Sequence, residues 1–302
     1  MTNTKRAYLA LAAICIIWGT TYAAIKYCMT DFPPFLLVGL RQTAAGVLIL
    51  GWAVLNGKLI WPGKQYVARQ ALTGLATITG GNGFITWGMQ YVSTGVAALI
   101  GSLTPVLVVL ITLMWRGSDK INTRMAAGVL LGFGGLGIIF SHGWADFIQP
   151  AYRWGIAGCF ASCFSWSLGT VMAKRWNSSD VSPLLNAGLQ ILSGGLGGFV
   201  LSLFLDTNWE IHHSTTGWLS IIYLVTIGSA LAFTLYMFVL KHLSATVASL
   251  YTYINPIIAL LLGWALLNEV LTIWIAIGMS ITIVGVWLVN SGANERVKKI
   301  SV

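Results

Sequence analysis

Two tryptophans in this chain lie 148 residues apart and have matching neighbours. "IIWGTTYAAIK" runs from Ile16 to Lys26 and "FSWSLGTVMAK" from Phe164 to Lys174, and in each a lysine follows the tryptophan by eight positions. On a helix, positions i, i+4 and i+8 share a face. One face therefore carries Trp18, Tyr22 and Lys26, the other Trp166, Thr170 and Lys174. A ring at mid-helix below a cation could stack on a small molecule and guide a charged end. The same pattern also suits a packed ring under a lysine that snorkels to the membrane surface.

Other residues able to contact a ligand are uncharged. Asn82 lies between Gly81 and Gly83 on a stripe with Thr79, Thr86 and Gln90. Ser102 precedes Pro105; Thr226, Ser229 and Phe233 form a second group, and Tyr251, Thr252 and Asn255 cluster before Pro256. Such side chains recognise zwitterions or weakly polar organic molecules by stacking and dipoles. Pro105 and Pro256 each remove an amide donor and displace the carbonyl four residues earlier, at Gly101 and Thr252. Those carbonyls could face a ligand, or the prolines could be plain kinks or hinges.

Bond-making chemistry has no candidate. All eight acids fall in connections or tails, and no histidine is at mid-helix, so neither a nucleophile–base pair nor a carboxylate proton relay is visible. Cys15, Cys28, Cys159 and Cys163 include no C-x-x-C pair and read as packed thiols. No cofactor, metal or catalytic residue is expected. Arg41 is the one charge well inside an apolar run; its counterpart in the second half is Gln190. It is expected to form a structural or gating ion pair with Glu269, leaving the central chamber uncharged, with direct contact to substrate as the alternative.

The elements that position these residues follow from composition. The 302 residues are 57% hydrophobic and 8% charged, with a mean hydropathy of +0.80, against about 25% charged in a soluble domain. The chain must be solvated by lipid. The net charge of +9 is spread through the gaps between apolar runs, which argues against a nucleic-acid surface. Ten runs approach the ~20 residues that span a bilayer: 7–28, 35–55, 70–90, 94–115, 123–141, 154–173, 184–204, 217–239, 245–267 and 272–290. Within hydrocarbon each must be a helix, because nothing there can pair a free N–H or C=O. With the N-terminus in the cytoplasm, fourteen of the 17 Lys and Arg lie inside, Lys26 and Arg153 outside, and Arg41 within a span. That asymmetry predicts both termini cytoplasmic. No cleavable signal is expected, since the first run is long enough to span and no A-x-A-like site follows it.

Two further stretches repeat. "YVSTGVAALIGSLTP" (91–105) matches "HLSATVASLYTYINP" (242–256), and "PFLLVGL" (34–40) matches "PLLNAGL" (183–189). The expected architecture is all-α and integral to the membrane, with ten transmembrane helices in two inverted five-helix repeats, residues 1–148 and 149–302. An odd number of passes makes the second copy enter from the opposite side, with a ligand site near the midplane between the halves.

These motifs, with "GGNGF" and "ALLNEVLT", resemble the drug/metabolite transporter superfamily, and more narrowly the EamA-type ten-helix permeases of the bacterial inner membrane. The resemblance implies a secondary carrier, usually an exporter of amino acids, other small metabolites or toxic compounds, working by alternating access. Its cavity would be built from spans 1, 3, 4, 6, 8 and 9. The glycine usual before the acid near the end of span 9 is Asn268 here. Export of small amphipathic metabolites such as amino acids is therefore expected. A sugar-phosphate or nucleotide-sugar exchanger and a multidrug exporter stay open within carriers, and a channel stays open outside them. Gly128–Gly132 and Gly194–Gly198 are small-xxx-small pairs that could serve a homodimer or pack within one chain.

Overall fold

The computed structural model describes residues 2–57, 61–116, 123–142, 149–178, 180–207, 209–249 and 251–300. Among them every regular element is helical. In chain order these are α1 (Asn3–Cys28), α2 (Pro34–Leu55), α3 (Lys64–Gly74), α4 (Phe84–Gly88), α5 (Thr94–Gly101), α6 (Thr104–Arg116), α7 (Thr123–His142), α8 (Pro150–Trp176), α9 (Pro183–Leu205), α10 (Thr215–Tyr223), α11 (Ala232–His242), α12 (Ala245–Ala248), α13 (Tyr251–Leu267) and α14 (Ile273–Ile300). Helices α3 and α4 are continuous through a wide π-helical segment, Leu75–Gly83, and α10 and α11 through another, Leu224–Leu231. Among the described residues six helical stretches are long and apolar enough to cross a membrane: α1, α2, Thr94–Trp115, α8, α9 and Thr215–His242. Thr123–Ile138, Tyr251–Leu267 and Ile273–Val289 are shorter apolar helices.

Helix starts are written in the local sequence. Proline occupies the first turn of α2, α8 and α9, where its missing N–H costs nothing. Ser93, Ser182, Ser214 and Ser244 each accept a bond from the amide three residues on, as N-caps do. Three carboxylates cap helices to which they do not belong. Asp206 accepts from the Phe35 and Leu36 amides at 3.2 and 2.8 Å, Asp31 from the Ser214 amide and hydroxyl at 3.0 and 2.6 Å, and Glu269 from the Thr94 amide and hydroxyl at 2.8 and 2.7 Å. A negative charge at a helix N-terminus is favourable. The Ser214 hydroxyl holds the Asp31 carboxyl below the usual carboxylate range, with burial opposing.

Packing runs between the halves. Helix α1 lies against α13 and α11, α8 against the Leu75–Gly83 segment and α6, α2 against α9, and α7 against α14. The glycine pairs serve these contacts within one chain. A Cβ at Gly128 would meet the Val289 amide at 2.7 Å, and one at Gly198 would meet Gly39 at 2.9 Å. The outer surface is apolar, with Phe204 78% and Leu130 75% exposed, as a lipid-facing wall requires.

Helix boundaries match the expected runs to a few residues, apart from the third, which starts at Lys64 rather than 70, and the last, which continues to Ile300 rather than 290. The expected span 94–115 is interrupted at Ser102–Leu103, ahead of Pro105, whereas Pro256 lies inside α13. Asn268 has φ +55°, the left-handed conformation that commonly ends a helix. Asn adopts it more readily than most residues, so Asn268 can serve where the resemblance led to an expected Gly.

Candidate functional site

Five rings from four elements meet at the centre. Trp18 of α1 contacts Trp166 of α8 edge to face at 5.3 Å between centroids, Tyr236 of α11 at 5.2 Å and Tyr251 of α13 at 4.6 Å. Phe233 lies 6.2 Å from Trp166 and 5.8 Å from Tyr236. Edge-on and tilted pairs of this kind add about 0.5–1.5 kcal/mol each beyond buried area. Tyr236, fully buried, is the member the sequence reading missed; it follows Phe233 by three positions and so shares its face.

The two π-helical segments press against this cluster. Wide turns leave carbonyls poorly paired within the helix, and neighbours take them up. The Trp18 indole donates to the Gly228 carbonyl at 3.1 Å, and the Ser162 hydroxyl to that of Gly81 at 2.6 Å. Gly81 also lets Trp166 approach, since a Cβ there would meet the indole at 2.8 Å.

Beside the rings is a cavity of about 100 Å³. Its wall brings together eight of the eleven residues that the sequence suggested for substrate: Trp18, Tyr22, Asn82, Trp166, Ser229, Phe233, Tyr251 and Asn255. Thr86, Ser102 and Thr170 are not on it. Their hydroxyls are satisfied elsewhere: Thr86 donates to the Asn82 carbonyl, Ser102 to that of Leu99, and Thr170 shares a 2.7 Å bond with the Tyr236 hydroxyl. The helix-3 stripe fails as a single face because the π winding changes its period: Thr79 turns to the Gly194 carbonyl, and Gln90 is exposed. Thr226 is exposed as well. Asn255, with its amide nitrogen toward them, donates to the Cys15 and Tyr251 carbonyls at 3.0 and 3.1 Å, tying α1 to α13. The Gly101 carbonyl that Pro105 displaces accepts from the Thr104 hydroxyl at 2.7 Å. Thr21, Thr104, Ser162 and Cys163 also line the cavity without having been singled out.

Arg41 requires a correction on two counts. It lines the cavity, so the chamber is not uncharged, and its partner is not Glu269. The guanidinium, 3% exposed, donates from Nη2 to Asn82 Oδ1 at 2.5 Å, while Glu269 is engaged by Thr94. The physical reason is the π segment, which carries Asn82 toward α2. Helix α2 thereby joins the cavity through Arg41 and Gln42, in addition to the six spans expected.

The repeated lysines have another use. Lys26 donates to the Met89 carbonyl at 2.5 Å, and Lys174 to those of Leu240 and Leu243 at 2.6 and 2.7 Å. Each cation thus satisfies the C-terminal carbonyls of the helix that carries a π segment, where positive charge is favoured. Lys26 also borders a second pocket, with Gln90 and Glu269.

The EamA-like transporter model matches this sequence twice, over residues 5–141 and 153–291. The chain belongs to the EamA-like transporter family. It is 31% identical over 273 residues to the uncharacterized inner membrane transporter YedA of Escherichia coli K12, covering 89% of this chain and 86% of that one. It is 28% identical to an uncharacterized transporter of Synechocystis, over 98% and 94% of the two chains, and 28% identical to a chloroplastic WAT1-related protein of Arabidopsis thaliana, over 90% and 66%. A solved crystal structure superposes with a TM-score of 0.67 at 20% identity, covering 94% of this chain and 96% of its own, a likeness of fold. An EamA-like protein with these apolar helices is a membrane transporter, and its named relatives include inner membrane proteins. Among the described residues no group of three or more His, Cys, Asp or Glu side chains could hold a metal, and the four cysteines are free and buried.

Proposed function

We propose that this EamA-like protein is a secondary carrier that exports small amphipathic metabolites, amino acids among them, across the bacterial inner membrane by alternating access. Two inverted five-helix repeats, residues 1–148 and 149–302, would rock about the central cavity. The observation that carries this reading is the cavity wall itself, to which both halves contribute, with the repeat-related Trp18 and Trp166 in edge contact at its base. The pairing of helices supports the repeat. Exchanging each span of one half for its counterpart turns α1–α13 contact into α8–α6 contact and α1–α11 contact into contact between α8 and the α3–α4 span, and leaves α2–α9 and α7–α14 unchanged. The π segments at 75–83 and 224–231 are likewise offset by 149 and 148 residues.

The cavity, at about 100 Å³, is smaller than the roughly 300–1,000 Å³ of sites for drug-sized ligands, which favours small cargo. No described Asp or Glu lines it, so proton coupling through a cavity carboxylate has no support, and facilitated or exchange transport fits better. Counterflow in proteoliposomes tests the reading. Preloaded unlabelled amino acid should accelerate entry of labelled amino acid, with or without a pH gradient. A strict need for the gradient contradicts the exchange mechanism, and linear, unsaturable flux contradicts the carrier. Gly128 and Gly132 pack against Gly285 of α14, and Gly194 and Gly198 against Ile78 and Gly39, so a homodimer draws no support from those pairs.

A further inference from the structure

Arg41 is held in an unusual state. The side chain is 3% exposed and lines the cavity, its charge faces no carboxylate among the described lining residues, and its Nη2 donates to a neutral amide, Asn82 Oδ1. Its Nε–H has no partner, and neither has Oε1 of Gln42, the next residue on the same wall. A buried cation without a counter-charge is costly, and a guanidinium presents a planar edge of donors that matches a carboxylate in two-point contact. The described acids near the helix ends are committed elsewhere: Asp31, Asp206 and Glu269 each cap a helix N-terminus. None of these three acids is left to serve as a counter-charge, and a ligand entering the cavity could supply one.

We propose that Arg41, positioned by Asn82, is a carboxylate-binding group in the cavity, and that the cargo is a small organic molecule bearing one free carboxylate and an apolar body. The proposal rests on the carrier reading above and names the cargo's chemical determinant. The carboxylate meets the free Nε–H edge, and the apolar part lies on the rings of Trp18, Trp166 and Tyr251 that share the cavity wall. A single arginine balances one negative charge; a phosphate ester near neutral pH would bring nearly two and leave one uncompensated. The opposite choice, Arg41 as a brace that only fastens α2 to the π segment, leaves the Nε–H edge without a use.

Three probes of similar shape separate these readings: phenylacetate, phenylacetamide and phenyl phosphate. Each is titrated against the full chain in detergent, with quenching of tryptophan fluorescence as the readout. Phenylacetate should bind at least tenfold more tightly than phenylacetamide, as expected for exchange of a charge-assisted for a neutral contact, and no less tightly than phenyl phosphate. Arg41→Gln should erase the preference for acid over amide, and Arg41→Lys should keep part of it. Equal binding of acid and amide to the wild type, tenfold tighter binding of phenyl phosphate, or an undiminished acid preference in Arg41→Gln at an unchanged melting temperature overturns the proposal. The wild-type series decides the matter if Arg41→Gln fails to fold. Arg41-dependent binding of phenylacetate without saturable counterflow in proteoliposomes leaves the subsite standing and removes the carrier reading. Counterflow that treats acid and amide alike keeps the carrier and removes the subsite.

Discussion

Trp18 and Trp166 meet edge to face at 5.3 Å, yet their indole nitrogens are treated differently: Trp18 Nε1 donates to the Gly228 carbonyl, whereas Trp166 Nε1 faces the Tyr236 and Tyr251 hydroxyls without a hydrogen bond of ordinary geometry. The two positions are equivalent in the sequence repeat and inequivalent in the folded protein.

That difference predicts unequal costs for one substitution. Trp18→Phe breaks a buried bond to a π-segment carbonyl and leaves the carbonyl unpaired, which costs about 1–3 kcal/mol beyond lost ring area. Trp166→Phe removes no bond to a π-segment carbonyl and at most a weak approach to the Tyr236 and Tyr251 hydroxyls. Thermal unfolding in detergent should rank Trp18→Phe clearly below Trp166→Phe; equal losses would show that the Gly228 contact contributes nothing.

The lysines should behave as helix-end partners. Lys26→Met and Lys174→Met each strip a charge from C-terminal carbonyls, at about 1–2 kcal/mol for a partly buried site. Both variants should melt earlier with probe affinity unchanged. Unchanged melting with weakened probe binding would instead make the lysines guides for the ligand.

Arg41 and Glu269 should act independently. Arg41 engages Asn82 and Glu269 engages Thr94, and sites without shared partners add to within about 0.3–0.5 kcal/mol. A double-mutant cycle of Arg41→Gln and Glu269→Gln should give a coupling no larger than that. A coupling of about 2 kcal/mol would restore the ion pair.

Acid should loosen the connection at Asp31. Its carboxyl is held below the usual range chiefly by the Ser214 hydroxyl at 2.6 Å. A depressed folded value contributes stability that is complete above the unfolded value of about 3.9 and is lost as pH falls through the folded value. Melting temperature should therefore be insensitive to this group from pH 7 to about 5 and decline below about 4. In Ser214→Ala the depression should shrink and that acid-side decline should flatten; a decline of the same size in both proteins would assign it to other groups.

The sequence by itself determined the solvent, the helices and the family, because each depends on information that is local or cumulative along the chain. An apolar run of sufficient length has no structure but a helix in hydrocarbon, Pro34 and Ser93 mark starts wherever they occur, and motif order survives without coordinates. Most of the central rings were legible for the same reason, since Trp18 and Trp166 recur in the repeat, Phe233 follows Ser229 by four positions and Tyr251 precedes Asn255 by four, each pair on one helical face.

Tertiary structure decided what those rings and charges do. The stripe of Thr79, Asn82 and Thr86 assumes a constant 3.6-residue period, and the wide turns of Leu75–Gly83 break that assumption in a way that packing, not composition, settles. Arg41 was placed by depth alone, and depth does not say which neighbour a guanidinium meets. Only the arrangement of α2 against the π segment puts it on the cavity wall with Asn82, an edge of donors unfilled, and Glu269 occupied at the start of another helix.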